Sequence, residues 1–264
     1  MRPSKSLGQN FLSDDNILAR IVEAAGIGPK DTVLEVGPGL GSLTRHLAEA
    51  AEAVVAVELD KKLITPLETV LAPYDNVRIV QGDILDLFPA DLGLPDGYVM
   101  AANIPYYITS ALLRHLLEAE THPAQLTLTV QKEVAQRMCA EPPDLSLLAL
   151  SVQVYGQPEV VFGIPAGAFY PPPKVDSAVV RVALYDQPRI PATQLDDFFR
   201  LSKAGFGQKR KTLRNALSSG LGQAKDEVDA LLEKANIDGQ RRAETLSLEE
   251  WGRLVEEFSR LTEG

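Results

Sequence analysis
The chain is poor in the groups that several kinds of chemistry require. Among 264 residues there is one cysteine, Cys139. No intrachain disulfide can form and no thiolate metal cluster can be built, which suits a reducing cytoplasm. Only three histidines occur, and His46, His115 and His122 all fall in helical or loop stretches rather than at a strand end. No run approaches the roughly 18 apolar residues that a membrane helix needs. The basic start, Met1-Arg2-Pro3-Ser4-Lys5, is followed by no apolar segment, so no signal peptide is expected. Cations are outnumbered as well: 26 Lys and Arg face 36 Asp and Glu, for a net charge of -10. A protein that coats nucleic acid with its whole surface is thereby excluded, and any such binding must come from a local patch. Neither internal repeats nor low-complexity tracts are present.

What remains is an alternation of short apolar runs and amphipathic stretches. Strands are expected at 31–36, 53–59, 77–81, 98–103 and 126–130, with helices following most of them. A helix capped by Ser13 or Asp14 runs to about Ala25. Two helical stretches flank Glu141-Pro142-Pro143, and short strands lie near 160–162 and 177–185. Such alternation predicts a parallel, doubly wound α/β sheet. A break at Asp186-Gln187-Pro188-Arg189-Ile190-Pro191 divides a domain over 1–187 from a small all-α domain over 188–264. In the latter, helices are expected at about 193–205, 209–218, 225–235 and 247–261.

Open α/β sheets bind ligands at the carboxyl ends of their strands. Four consecutive strands here end in chemistry-bearing groups. The first enters Gly37-Pro38-Gly39-Leu40-Gly41, where glycines allow close backbone approach and the next helix points its amino end at the ligand. Its third glycine comes one residue earlier than the dinucleotide fingerprint requires. The second strand ends in Glu58, placed to take both ribose hydroxyls, and the third in Asp83, placed to accept from an adenine amine. A tight turn and two solvated acids would account for these singly; three in register favour a nucleoside. No pyrophosphate is called for, so S-adenosylmethionine fits better than NAD.

The fourth strand ends in Asn103-Ile104-Pro105-Tyr106-Tyr107. An amide that can accept from an amine, a fixed X-Pro turn and an aromatic ring together suit a planar base with an exocyclic NH2. A lone pair delocalised into the ring makes such an amine a poor nucleophile. Accepting its N–H groups at the Asn103 oxygen and the Ile104 carbonyl favours a pyramidal nitrogen aimed at the methyl donor, with alignment supplying much of the rate. No general base is needed, since the proton is lost readily once methyl has been added. The base must be unpaired or flipped, with aromatic stacking offsetting the unstacking cost. Lys203, Lys209, Arg210, Lys211 and Arg214 form the densest basic cluster and the candidate RNA footprint.

Six segments then carry a resemblance: Lys5-Ser6-Leu7-Gly8-Gln9-Asn10-Phe11-Leu12, Glu35 to Gly41, Asn103 to Tyr106, Gln131-Lys132-Glu133-Val134-Ala135, Pro172-Pro173-Lys174-Val175-Asp176-Ser177 and Arg210-Lys211-Thr212-Leu213. Together they resemble the ribosomal RNA adenine dimethylases across nearly the whole chain, and most of all the branch that dimethylates two adjacent adenosines near the 3′ end of 16S rRNA. The resemblance implies a Rossmann-like, class I S-adenosylmethionine-dependent methyltransferase. It implies that Asn10, Leu12, Gly37, Glu58, Asp83 and Asn103 line the cofactor pocket, and that Tyr106 and Phe169 sandwich the flipped base. The implied partner is 16S rRNA in the immature small subunit, with no metal and no membrane, and the chain is expected to act as a monomer. A 23S rRNA methylase of the resistance type shares the catalytic motifs. The Pro-Pro-Lys-Val-Asp-Ser run and the Arg-Lys-Thr-Leu segment favour the small-subunit enzyme. A DNA adenine methylase would need a target-reading domain for which there is no room. A role mainly in ribosome assembly is the alternative outside catalysis; intact Glu58, Asp83, Asn103 and Tyr106 argue that methylation is at least retained, and both roles can coexist.

Overall fold
The computed structural model describes residues 9–103 and 109–262, without the side chains of Thr109, Ser110 and Thr262. Compact unit one comprises the residues up to Ala135 together with Pro158–Leu184. The second comprises Gln136–Gln157 and everything from Tyr185 onward.

Unit one is built on short strands of Val, Leu, Ile and Ala, the residues that pack well on a pleated surface buried on both faces. In chain order these are β1 (Phe11–Leu12), β2 (Thr32–Val36), β3 (Ala53–Glu58), β4 (Val77–Gln81), β5 (Val99–Asn103), β6 (Gln125–Gln131), β7 (Gly156–Ile164), β8 (Phe169–Tyr170) and β9 (Ser177–Leu184). Helices α1 (Asp15–Ala24), α2 (Ser42–Ala50), α3 (Lys61–Leu71) and α4 (Thr109–Leu117) alternate with the first strands, and α5 (Lys132–Met138) follows β6. The large sheet has the order β4-β3-β2-β5-β6-β9-β7. Pairing is parallel from β4 through β6, as alternation predicts, whereas β9 runs antiparallel to β6. The sheet is therefore mixed. Two helices, α5 and α6 (Leu147–Gln153), carry the chain from β6 to the edge strand β7, and it returns to β9, between those two strands, without a helical crossover, as an antiparallel strand allows. The order turns between β2 and β5, so chain connections leave in opposite directions there, and a crevice opens beyond their carboxyl ends.

Local signals set the helix ends. Asp14 caps α1 by accepting from the N–H groups of Asn16 and Ile17 at 3.0 and 3.2 Å, and Asp60 caps α3 by accepting from Lys62. A second, two-stranded ribbon pairs β1 with β8, placing Phe11 opposite Tyr170 and Leu12 opposite Phe169. Strand pairing was not expected of either segment, because two residues are too few to show a period.

Unit two contains α6 (Leu147–Gln153), α7 (Leu195–Phe206), α8 (Leu213–Leu221), α9 (Lys225–Lys234) and α10 (Leu248–Thr262). The domain expected over 1–187 includes 136–157, whereas in the structure these residues group with the C-terminal helices. Leu145 N–H donates to Glu244 O at 3.1 Å, Arg189 N–H donates to Val154 O at 2.8 Å, and the rings of Tyr155 and Phe199 stack with centroids 6.4 Å apart. Trp251, Phe198, Phe258, Leu213, Leu217 and Leu254 fill its core. Among the described residues no helix is long and apolar enough to cross a membrane.

Two glycines let these helices touch. A Cβ on Gly220 would stand 2.6 Å from the Cβ and 2.7 Å from the Cα of Ala204, and one on Gly205 would stand 2.7 Å from the Trp251 ring. Gly→Ala in a helix ordinarily gains up to about 1 kcal/mol. At Gly220 the obstacle is backbone, and overpacking of that kind costs about 1–3 kcal/mol. Gly220→Ala is therefore expected to lower the Tm by several degrees in thermal denaturation followed by circular dichroism; an unchanged or raised Tm would show that α7 and α8 are not in contact there.

Candidate active site
The pocket is built from backbone geometry first. Gly37, Gly39 and Gly41 take φ values of +73°, +61° and +81°, a left-handed path that other residues adopt only with strain. A Cβ on Gly39 would also crowd the Phe11 ring, which packs on the loop, at 3.1 Å, so that the ring would have to give by a few tenths of an ångström. Backbone bonds then tie the strand ends together, with Gly37 N–H donating to Val57 O at 2.9 Å and Gly82 N–H donating to Glu58 O at 3.0 Å. Glu58 joins the loops through its carboxylate. Oε2 accepts from Gly39 N–H at 3.1 Å, and Oε1 accepts from Asp60 N–H at 2.8 Å.

These elements enclose a cavity of about 240 Å³, lined by residues that include Asn10, Leu12, Glu35, Gly37, Gly39, Glu58, Asp83 and Asn103. That is many times the roughly 10–15 Å³ that one water occupies, so the space suits an organic ligand. All the residues expected to contact the cofactor thus border one cavity. Asp83 has a local task as well, since its Oδ1 accepts from Leu85 N–H at 3.0 Å and starts the turn after β4. Asn103 is half-buried at the end of β5, and its Nδ2 donates to Asn10 O at 3.4 Å. This turns the acceptor end of the amide away from the strap that carries Asn10. Gln9 Nε2 donates to Asp60 Oδ2 at 3.1 Å, so the strap is held to the ends of both β3 and β5.

Other expected residues fall elsewhere. Tyr106 and the Ile104 carbonyl lie outside the described residues. Phe169 is only 4% exposed, its ring turned into the apolar cluster that contains Leu12, Leu18 and Ile21. In unit two, α7 ends at Phe206 and α8 begins at Leu213, so Lys209, Arg210 and Lys211 occupy a turn rather than the helix expected there. The difference lies at the start of α8, whose N-cap Thr212 has extended backbone (φ -64°, ψ 156°), so that the helix begins only at Leu213; Phe206, at the end of α7, stacks on Trp251 with centroids 5.9 Å apart. Lys203, Lys209, Arg210 and Lys211 are exposed, but Arg214 is paired, its Nε donating to Asp229 Oδ1 at 2.6 Å. Arg214 is thus the member of the cluster whose charge is already matched. Among the described residues, no three His, Cys, Asp or Glu side chains gather as metal ligands.

One lining residue was not singled out in advance. Glu35 stands inside β2 at 1% exposure, and its Oε2 has no hydrogen-bond partner among the described residues. The visible signal was an acid within the apolar run Val33-Leu34-Glu35-Val36. Burial pushes its pKa up to about 8, and it raises that of Glu58 too, against the opposing N–H bonds from Asp60 and Gly39.

Comparison with known proteins extends these observations. The family described as ribosomal RNA adenine dimethylase matches residues 2–259. A ribosomal RNA small subunit methyltransferase A from Dehalococcoides mccartyi is 52% identical over 255 residues, covering 96% of this chain and 88% of that protein. Its namesake from Moorella thermoacetica is 46% identical, covering 96% and 91%. Among solved structures, a dimethyladenosine transferase from Plasmodium falciparum superposes with a TM-score of 0.80 at 27% identity, covering 95% of this chain and 98% of that one. The 23S rRNA methyltransferase ErmE gives 0.74 at 31% identity, covering 95% and 100%.

The environment of Glu35 has a measurable consequence. Between its ordinary value of 4.5 and about 8, the folded chain holds a proton that the unfolded chain has released. Stability at this group therefore falls as pH rises through that window, by up to about 1.4 kcal/mol per pH unit. Glu35→Gln removes the titration and keeps the shape. Its stability relative to the parent chain should rise from pH 5 to pH 8 in urea denaturation. A difference that does not change with pH would mean that Glu35 is ionised in the folded state.

Proposed function
The chain belongs to the ribosomal RNA adenine dimethylase family, and from that premise we propose that it transfers two methyl groups to N6 of each of two adjacent adenosines near the 3′ end of 16S rRNA. It is an S-adenosylmethionine-dependent rRNA adenine methyltransferase, and what is proposed is the position, the residue roles and the setting. The preferred substrate is the immature small subunit in the cytoplasm, where modification accompanies maturation. Higher identity to small-subunit methyltransferases than to ErmE, 52% against 31%, supports the 16S assignment.

The observation that carries the reading is the meeting of the glycine loop, Glu58, Asp83 and Asn103 around one cavity. When bound, the cofactor supplies an electrophilic methyl on a sulfonium. Gly37 and Gly39 let the backbone approach it, and Asn10 and Leu12 cover it. Glu58 accepts from the ribose hydroxyls and Asp83 from the adenine amine. A carboxylate offers about four lone-pair sites. Glu58 can therefore hold Gly39 and Asp60 and still take the ribose, which is why the acid fits this ligand.

Asn103 acts on the other substrate. Its Oδ1 accepts from N6–H of the target base and orients the nitrogen, while its Nδ2 is steadied by the Asn10 carbonyl. Tyr106 is the ring that holds the base, whereas Phe169, packed into the core at 4% exposure, supports the ribbon rather than offering a face to the base. The proton leaves to water after methyl transfer, so no titrating side chain is required at the amine. Lys203, Lys209, Arg210 and Lys211 contact RNA phosphates, with Arg214 contributing only if its pairing to Asp229 is exchanged.

Removing a preorganised partner used mainly in the transition state typically costs about a hundred- to a thousandfold in turnover. Asn103→Ala is expected to lose that much in single-turnover methylation of unmethylated small subunits at saturating cofactor, with a much smaller loss of cofactor affinity. A variant within threefold of the parent rate would reduce the end of β5 to a structural turn.

A further inference from the structure
The ribbon formed by β1 and β8 has two unlike faces. Leu12 and Phe169 face the core at 4% exposure each, as alternation in a strand requires. Phe11 and Tyr170 are partners on the other face, where cross-strand side chains lie side by side. Phe11 is satisfied by the glycine loop, against which it packs. Tyr170 is not covered: at 69% it is the most exposed large hydrophobic side chain among the described residues.

An exposed aromatic is ordinary taken alone. Its position here is not. Phe11 follows directly on Asn10, whose carbonyl accepts from the Asn103 amide. Paired Cα atoms in an antiparallel ribbon stand about 5 Å apart and neighbours along a strand about 3.4 Å. The Tyr170 backbone is therefore within about 10 Å of the residue that touches Asn103. The segment beyond is fixed, since Ala166 N–H donates to Asp176 Oδ1 and Lys132 N–H donates to Asp176 O, both at 3.0 Å. It also exposes Lys174, four residues past the ring. With Val175 at 46% exposure the same segment offers only a small apolar area, with the Lys174 cation in the same loop, rather than the broad contiguous surface that a protein partner would fill. It matches the way proteins hold unpaired nucleotides, by stacking with charge alongside.

We propose that Tyr170 is the stacking platform for the nucleotide next to the target adenosine, a positioning residue that helps deliver the flipped base to Asn103. The inference rests on the rRNA-methylating reading above and adds a contact that the cofactor pocket does not require.

The test compares Tyr170→Ala and Tyr170→Phe with the parent chain, using unmethylated small subunits as substrate and tritiated S-adenosylmethionine as methyl donor. Tyr170→Ala should raise KM for subunits about five- to a hundredfold, the range of one lost base stack. Its kcat should stay within about twofold, and its cofactor Kd and Tm should be unchanged. Tyr170→Phe keeps the ring and should restore KM to within about twofold. The inference is overturned if Tyr170→Ala leaves KM within twofold, if Tyr170→Phe is as impaired as Tyr170→Ala, or if Tyr170→Ala weakens cofactor binding. An inactive parent chain would instead overturn the functional reading itself, so the two failures are told apart within one experiment.

Discussion
One carboxylate holds the site together. Glu58 ends β3 and receives the backbone N–H of Gly39 from the loop after β2 and that of Asp60 from the start of α3. Charged hydrogen bonds of this kind are the stronger ones, and they bind two loops that would otherwise move independently. Position follows from them. With the glycine loop fixed, Phe11 can lie on Gly39, and the strap bearing Asn10 reaches Asn103 on β5. The pocket and the end of β5 that carries Asn103 are thereby set relative to one another. Burial penalises the charge of Glu58, and its N–H partners oppose that penalty. The ribose hydroxyls would add further donors to the same group.

Topology explains why these groups meet. Parallel strands deliver all their carboxyl ends to one edge of the sheet, and β2 and β5 are the neighbours at which the order reverses. Reactive groups can then come from residues 35 to 103 without any long-range sequence signal. Among the described residues, the cavity is lined by acids and amides and by no histidine.

Much of this was legible because strand ends are punctuated. Valine-rich runs that stop at glycine, Glu58, Asp83 or Asn103 announce both the element and its chemistry, and such short buried strands fell within a residue or two of their expected limits. Pairing between distant short segments was not legible. Phe11-Leu12 and Phe169-Tyr170 are too brief for a period, and only the fold brings them side by side. The same holds for Arg214, whose charge is cancelled by Asp229 one helix away, and for the start of α8, which falls at Leu213 rather than at Lys209. The grouping of 136–157 with the C-terminal helices likewise depends on contacts across sequence rather than on composition. Glu35 sits between these cases, a visible anomaly whose meaning needed the cavity beside it.

The central claim is that Glu58 organises the pocket and takes the ribose of S-adenosylmethionine. Titration calorimetry of the cofactor into the parent chain and into Glu58→Ala tests it most directly. A lost charged hydrogen-bond partner is expected to cost about 1.5–3 kcal/mol, roughly a ten- to hundredfold rise in Kd, with the fold retained. An unchanged Kd in a folded Glu58→Ala chain would contradict the account.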